Sequence, residues 1–272
     1  MMAGAVGAMM LEGAPKGILN LVGLRIHLPF TIQKWEIHEI FLLDASTYLL
    51  AFFLLMMIRF EPLKVRQPES GSILERFKTG FSYLRENAAL LIFGIASYSI
   101  FVATLISGFY LGAIYVSNHL EAGGDVYASM EVTYALGALL AGMGVNWLFQ
   151  RISTINAIIF MTAVTAGLCF VIAFTKSIGI FLAMSLIFGF TNAGTRVQRI
   201  TYLFKHIPNQ VYGRAGSIFF LSNVSFRILF LLVFWLSFFH ESNNVIYGYF
   251  LFGVFLVLSA LVLVGVRKKL PK

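Results

Sequence analysis

Seven apolar stretches, each long enough to cross a lipid bilayer, divide this chain of 272 residues. A helix needs about 20 apolar residues to span the hydrocarbon core. Apart from a closed barrel, only a helix satisfies its own backbone hydrogen bonds there. The sequence therefore predicts an all-α membrane protein. The predicted spans are residues 40–60, 88–115, 126–149, 155–174, 178–203, 215–239 and 245–266.

The charged residues are sorted by membrane side. Only 12% of the residues are charged, against about a quarter in a soluble domain. The net charge of +8 does not indicate a nucleic-acid partner, because the basic residues alternate with the spans. One face carries Arg59, Lys64, Arg66, Arg76, Lys78, Arg85, Arg151, Arg196, Arg199, Lys205, Arg214, Arg267, Lys268, Lys269 and Lys272, and the other has only Arg25, Lys34 and Lys176. This asymmetry predicts a multi-pass protein of the plasma (inner) membrane with a cytoplasmic C-terminus.

The chain divides into three predicted parts. Residues 1–60 hold a partial helix, an external loop at 18–38 and one full transmembrane helix. Residues 61–87 form a cytoplasmic linker, whose basic amphipathic helix is expected to lie in the membrane interface. Residues 88–272 form a six-helix bundle, because the short loops make successive helices antiparallel neighbours. Gly137 with Ala141, and Ala138 with Gly142, have the spacing of small residues that lets helices approach closely.

The fifth predicted span carries a polar stripe. Ser185, Gly189, Asn192, Arg196 and Arg199 share one face at 3.6 residues per turn. Such a face either lines a water-filled cavity or pairs with a neighbouring helix. Arg199 lies near the end of the span, so its side chain is expected to reach the lipid headgroups.

The sixth predicted span has a second polar face, formed by Gly216, Asn223 and Arg227. Arg227 lies near the middle of the span, where a charge is costly. It therefore requires a cavity, a carboxylate or backbone carbonyls. Facing a cavity is the functional interpretation, and a hydrogen-bonded structural arginine is the alternative.

Two carboxyl groups lie inside predicted spans. Glu131 is about a turn and a half inside the third span, on a face with Tyr127 and Tyr134, and Asp44 is about one turn inside the first. Desolvation favours the protonated carboxyl, which is what proton coupling requires. Both are candidate proton sites. The alternatives are a headgroup-level position for Glu131 and a loop brace for Asp44.

The motifs of metal-dependent and ATP-dependent enzymes are missing from the sequence. No pair among His27, His38, His119, His206 and His240 has the spacing of metal ligands. Neither HExxH nor GxxxxGK[ST] occurs. We therefore predict no metal site, no cofactor and no enzymatic activity. The single cysteine, Cys169, lies mid-span and is expected to act as a small hydrophobe.

Four segments together resemble the C-terminal portion of a major facilitator superfamily transporter, most closely the bacterial branch that exports drugs, macrolides and siderophores. They are FLLDASTYLLAFFLL followed by MIRF, ILERFKTGFSYLREN, EVTYALGALLAGMGVNWLFQR, and GFTNAGTRVQRITYLFKHIPNQVYGRAGSI. The family's cytoplasmic loop motifs correspond here to Gly144, Asn146 and Arg151, and to Pro208, Gly213 and Arg214. The first of these loops lacks the family's usual acid.

The resemblance implies secondary active transport of a small amphipathic solute, with proton-coupled export as the expected mode. Two six-helix bundles would rock about a site between them. Asn192, Arg196, Asn223 and Arg227 would then contribute to the substrate cavity or the cytoplasmic gate. The expected partners are the bilayer, the solute and an N-terminal bundle that is missing from a truncated or half transporter. A lipid or lysophospholipid translocator, a membrane scaffold and a membrane-embedded enzyme are the alternatives.

Overall fold

The computed structural model describes residues 18–21, 24–27, 33–58, 73–241 and 243–271. Its first elements are two strands, β1 (Ile18–Leu21) and β2 (Leu24–His27), which pair antiparallel with Leu21 opposite Leu24. The sequence analysis predicts only a loop in this part of the chain. The two-residue connection contains Gly23, a residue typical of short hairpin turns, and the loop prediction misses that signal.

Seven of the helices in the described residues are long and apolar enough to cross a membrane. They are α1 (Ile37–Met57), α3 (Ala88–His119), α4 (Gly124–Leu148), α5 (Thr154–Phe174), α6 (Ile178–His206), α7 (Asn209–Phe234) and α8 (Val245–Lys269), with the shorter α2 (Ile73–Glu86) after α1. All seven predicted spans are therefore found. The ends differ most at α7, which starts and ends several residues earlier than 215–239. Apolarity marks the hydrocarbon core, whereas a helix continues beyond it into polar sequence.

The helix α3 is irregular. It consists of α-helical turns at Ala88–Ala96 and Ser99–Ile106, π-helical turns at Ser107–Leu111 and Tyr115–His119, and a short α-helical piece between the two π segments. π-Helical turns are rare and occur mostly at functional sites. The first of them lies beside the cavity described below.

The bundle formed by α3–α8 is built on close packing of α4 against α6 and of α5 against α8. The α4–α6 contact is made backbone to backbone. A Cβ atom added at Gly137 would overlap the carbonyl of Leu186, and one added at Gly189 would overlap the carbonyl of Tyr134. The predicted role of Gly137 is confirmed. In the second small-residue pair, the backbone nitrogen of Ala138 lies 3.1 Å from a Cβ atom added at Gly189, whereas one added at Gly142 would meet no other atom within 4 Å, so only Ala138 takes part in this contact.

The short helix α2 packs on the bundle at its contact with α7. Gly80 lies against Arg214, and Leu84 is fully buried. Phe77 and Phe81, from the same predicted apolar face, remain 36% and 47% exposed. Part of the apolar face of α2 therefore packs on the bundle, and part of it stays exposed. The helix α2 is thus packed against the bundle in addition to its predicted position at the membrane interface.

The helix α1 has no buried side chain. Its apolar surface is therefore uncovered along its full length, in contrast to the helices of the bundle. The six helices α3–α8 alternate in direction, so their ends form two faces. We call the face where α3, α5 and α7 begin the basic end, because Arg151, Lys205 and Arg214 lie there, and the other face the opposite end.

Candidate functional site

A small cavity lies inside the bundle, toward the opposite end. Its volume is about 30 Å³, and a buried water needs about 10–15 Å³, so it has room for one or two waters. Its wall is formed by Thr104, Ser107 and Gly108 of α3, Met130, Glu131 and Tyr134 of α4, Ile172 of α5, Phe181, Ser185 and Phe188 of α6, and Tyr249 of α8. This is too small for a drug-sized solute but large enough for water and a proton.

Three polar side chains of this wall are buried without a hydrogen-bond partner. They are Glu131 at its Oε2 atom, Thr104 at Oγ1 and Ser107 at Oγ, and Glu131 is only 5% exposed. Some other buried hydroxyls of the bundle donate to carbonyls one turn earlier, as Thr133 and Thr162 do, whereas those of Ser99 and Thr195 are also unpaired. Buried polar groups are normally paired, so three unpaired groups on one cavity mark it as a site for water or a proton.

Two hydrogen bonds fix α4 on either side of Glu131. The Tyr127 hydroxyl donates at 2.6 Å to the carbonyl of Gly108, and Gly108 lies in the first π-helical turn of α3. The Ser185 hydroxyl donates to the carbonyl of Met130 at 2.9 Å. These bonds hold the part of α4 that carries Glu131 against α3 and α6.

Among the described residues, Glu131 has no counter-ion in the wall of this cavity. Of the described residues that line it, none is a lysine, an arginine or a histidine. A buried charge without a partner costs several kcal/mol or more. An ionised carboxyl group at this position would therefore require water or a conformational change.

A second polar region, which we call the arginine groove, consists of Tyr98, Tyr134, Asn192, Arg196 and Arg199. The Asn192 amide donates from Nδ2 to the Tyr134 hydroxyl at 2.6 Å. Arg196 is exposed. Arg199 is 4% exposed, donates from Nη1 to the Ser97 carbonyl at 2.9 Å, and places its guanidinium 3.6 Å from the centre of the Tyr98 ring.

The expectation that Arg199 reaches the headgroups is wrong. α6 continues to His206, so Arg199 lies about two turns from the helix end. The carbonyl of Ser97, at the interruption in α3, offers an acceptor inside the bundle. In the stripe of α6, Asn192 therefore pairs with the neighbouring helix α4, as one of the two predicted alternatives has it, while Arg196 stays exposed.

Asn223 and Arg227 lie on α7. Asn223 is buried with Nδ2 unpaired, and the half-buried Arg227 has its Nε unpaired. Because α7 ends at Phe234, Arg227 lies about two turns from that end of the helix. Within the described part of the chain, no hydrogen bond or ion pair joins either residue to the arginine groove.

The structure does not bring Asp44 to Glu131. Asp44 is exposed on α1, about two turns inside that helix, and only its backbone carbonyl takes part in a described bond, from the Thr47 hydroxyl. The two candidate proton sites are therefore separate.

The residues of the first loop motif lie at the basic end of α4. The Asn146 Oδ1 atom accepts a hydrogen bond from Gln198 of α6 at 3.1 Å. Gly144 is half-buried with no atom near its would-be Cβ, and Arg151 is exposed.

The second loop motif begins α7. Pro208 is the N-cap residue, and its carbonyl accepts from the amides of Val211 and Tyr212. Gly213 is exposed, and Arg214 packs against Gly80. This motif therefore fixes the start of α7 and its contact with α2.

A network at the opposite end was missed by the sequence reasoning. His119, buried in the last π-helical turn of α3, contacts Asn243 Oδ1 at 2.8 Å and the Thr175 carbonyl at 2.9 Å. The buried Tyr115 hydroxyl donates to the carbonyls of Ile172 and Thr175. The network ties three helix ends together. Throughout the described ranges, no group of histidine, cysteine, aspartate or glutamate could hold a metal ion.

A multi-pass helical bundle with polar side chains buried inside it is an architecture found among membrane transporters. The family profile of the Major Facilitator Superfamily matches residues 18–231. The chain belongs to this superfamily, whose members are in general transporters and not enzymes. Neither a curated protein nor a solved structure gives a match.

Proposed function

We propose that this chain takes part in secondary active transport, exporting a small amphipathic solute in exchange for protons, with Glu131 as the group that carries the coupling proton. The observation that supports this most strongly is the small cavity in whose wall the Glu131 Oε2 atom lies buried and unpaired. A carboxyl group without a counter-ion changes its energy greatly when its proton leaves, because the remaining charge is buried. A change of conformation that opens the site to water would therefore allow this group to release its proton, which links the conformation of the protein to the proton gradient.

The cavity and the arginine groove share one residue, Tyr134. Its side chain lines the cavity beside Glu131, and its hydroxyl accepts the hydrogen bond of Asn192. Occupancy of the groove and the protonation of Glu131 therefore act on the same side chain. We assign Asn192 and Arg196 to the solute wall or the cytoplasmic gate, and keep Asn223 and Arg227 as further candidates for that wall.

The proposal includes a second bundle. α1 is uncovered and Arg196 is exposed, which is the state expected for surfaces that face an N-terminal bundle across a solute cleft. In this arrangement the basic end lies in the cytoplasm, as the positive-inside asymmetry predicts, and the protein resides in the plasma membrane. Residues 61–87 would then link the two bundles.

A lipid or lysophospholipid translocator of the same fold is the second candidate. The specific observation in its favour is that the arginines of the groove have no carboxylate partner in the described residues. A phosphate headgroup would supply the missing negative charge. The two candidates share the fold and the coupling carboxyl group and differ only in the solute.

The test is a transport assay in proteoliposomes with an imposed pH gradient. Macrolides, siderophores and lysophospholipids serve as solutes. Glu131→Gln keeps the size of the side chain but removes its titration, so gradient-driven export should fall to the background while exchange of solute without a gradient persists. Glu121→Gln, at an exposed glutamate on the loop after α3, is the matched control. Unchanged gradient-driven export by E131Q refutes the coupling role. An effect confined to D44N transfers that role to Asp44.

A further inference from the structure

The arginine groove contains more positive charge than its surroundings balance. Arg199 is almost completely buried, and its Nε has no partner. Its contacts are a carbonyl and an aromatic ring, neither of which carries a full negative charge. No ion pair of Arg199 or Arg196 is found among the residues that the structure describes.

Arg196 adds a second charge to the same place. It lies one turn before Arg199 on α6, close enough to interact electrostatically with that guanidinium and with Tyr134. Two nearby like charges repel, and the repulsion grows as solvent is excluded. An anion between them would remove this cost and would gain charge-assisted hydrogen bonds.

The flanks of the groove are aromatic. Tyr98 of α3 and Tyr134 of α4 are both half-buried, on either side of the polar stripe of α6. Tyrosine presents an apolar ring together with a polar hydroxyl. A ligand suited to this groove has an anionic group for the arginines and an apolar part for the rings.

We propose that the arginine groove binds the anionic group, a carboxylate or a phosphate, of an amphipathic solute, with the exposed Arg196 making the direct contact and the buried Arg199 adding to the positive field. This deepens the proposed function, on which it rests for the passage of the solute, by assigning the solute its charge. Amphipathic cations are then poor ligands.

The test measures binding in nanodiscs of neutral lipid, without any gradient. The probes are octyl phosphate, octyltrimethylammonium and the neutral octyl glucoside, each followed by equilibrium dialysis. Arg196→Gln removes the exposed charge, and Arg196→Lys keeps it but loses the planar, bidentate fork. Lys205→Gln removes a charge from the same helix on a different face and is the control. Arg196 is preferred to Arg199 because replacing a buried arginine could disturb folding.

Octyl phosphate should bind at least about tenfold more tightly than octyltrimethylammonium, since a hydrogen bond to a charged group contributes about 1.5–3 kcal/mol. R196Q should weaken octyl phosphate about tenfold or more, and R196K less. Neither should weaken octyltrimethylammonium or octyl glucoside, and R196Q should bind the cation at least as well as the unchanged protein, since a repelling charge is removed. K205Q should change none. Equal binding of the three probes overturns the proposal, as does an equal loss in R196Q and K205Q. Equal binding is the result expected if an acid of a second bundle neutralises the arginines.

A negative result in this binding assay can be distinguished from a negative result in the transport assay. Binding needs no proton gradient. If the groove still prefers octyl phosphate to octyltrimethylammonium while the E131Q variant still exports solute, only the proton-coupling proposal is refuted. Gradient-driven export of an amphipathic cation, unaffected by R196Q, would refute only the assignment of an anionic solute.

Discussion

The contact between α4 and α6 gives a sharp test of the structure. Gly137→Ala places a methyl group on the carbonyl of Leu186, and Gly189→Ala places one on the carbonyl of Tyr134. Because the obstacle in each case is backbone, no rotamer change relieves it. Non-bonded heavy atoms prefer a separation of about 3.5–4.0 Å, so the two helices must move apart by on the order of 1 Å.

The control lies on the same helix. Gly142→Ala adds its methyl group where no atom lies within 4 Å. Both substitutions in α4 gain the same intrinsic helix propensity, about 1 kcal/mol in water, and this gain cancels when the two variants are compared. The difference that remains is the cost of overpacking, about 1–3 kcal/mol. We expect the upper end, and a difference in unfolding temperature of about 6–12 °C on the scale of about 2–4 °C per kcal/mol.

The assay follows the reaction of a fluorogenic maleimide with Cys169 during heating in detergent. Cys169 is the only cysteine of the chain and is completely buried in α5, so it reacts only when the bundle opens. G137A combined with G189A should cost less than the sum of the two, since either one already separates the helices. Equal unfolding temperatures for G137A and G142A would show that α4 and α6 do not approach as described.

Two further predictions concern hydroxyl groups. Tyr115→Phe removes a donor shared by two buried carbonyls and should lower the unfolding free energy by about 1–3 kcal/mol. The Cys169 assay measures this change, with Tyr247→Phe, at an exposed tyrosine, as the reference. Equal stability of the two variants would contradict the burial of the Tyr115 hydrogen bonds. Tyr134→Phe removes the acceptor of the Asn192 amide, and should leave the fold intact while making proton flux into proteoliposomes independent of solute; flux that still responds to solute would exclude Tyr134 as the link.

The apolar spans were predictable because the bilayer acts on each segment separately. Hydrophobic length alone identifies a span, and no knowledge of its neighbours is needed. Boundaries are set differently. α7 begins directly after Pro208, and its first residues, up to Arg214, are largely polar. A hydropathy pattern does not identify such a polar start as part of the helix.

Residue environments depended on packing partners distant in sequence. Arg199 is held by Ser97 and Tyr98, about one hundred residues earlier, and periodicity contains no information about such a partner. The burial of Glu131 has the same origin, because its cavity takes side chains from five helices. By contrast, the faces of α4 and α6 were predictable, since the spacing of small and polar residues within one helix determines what that helix can approach.

The backbone contact between α4 and α6 also limits where a coupled movement can occur. The two helices touch backbone to backbone at Gly137 and Gly189, and relative rotation would bring side chains into this contact, so we expect them to move as one body. Glu131 and Tyr134 therefore keep their positions relative to the polar stripe of α6. The remaining wall of the cavity comes from α3, α5 and α8. Of these three helices, α3 contains two π-helical segments and an interruption at Ser97. Its unpaired Thr104 hydroxyl faces the cavity from this irregular helix. If Glu131 carries the coupling proton, the helix that responds to its loss is α3, and the same helix holds the acceptor for the buried arginine of the groove.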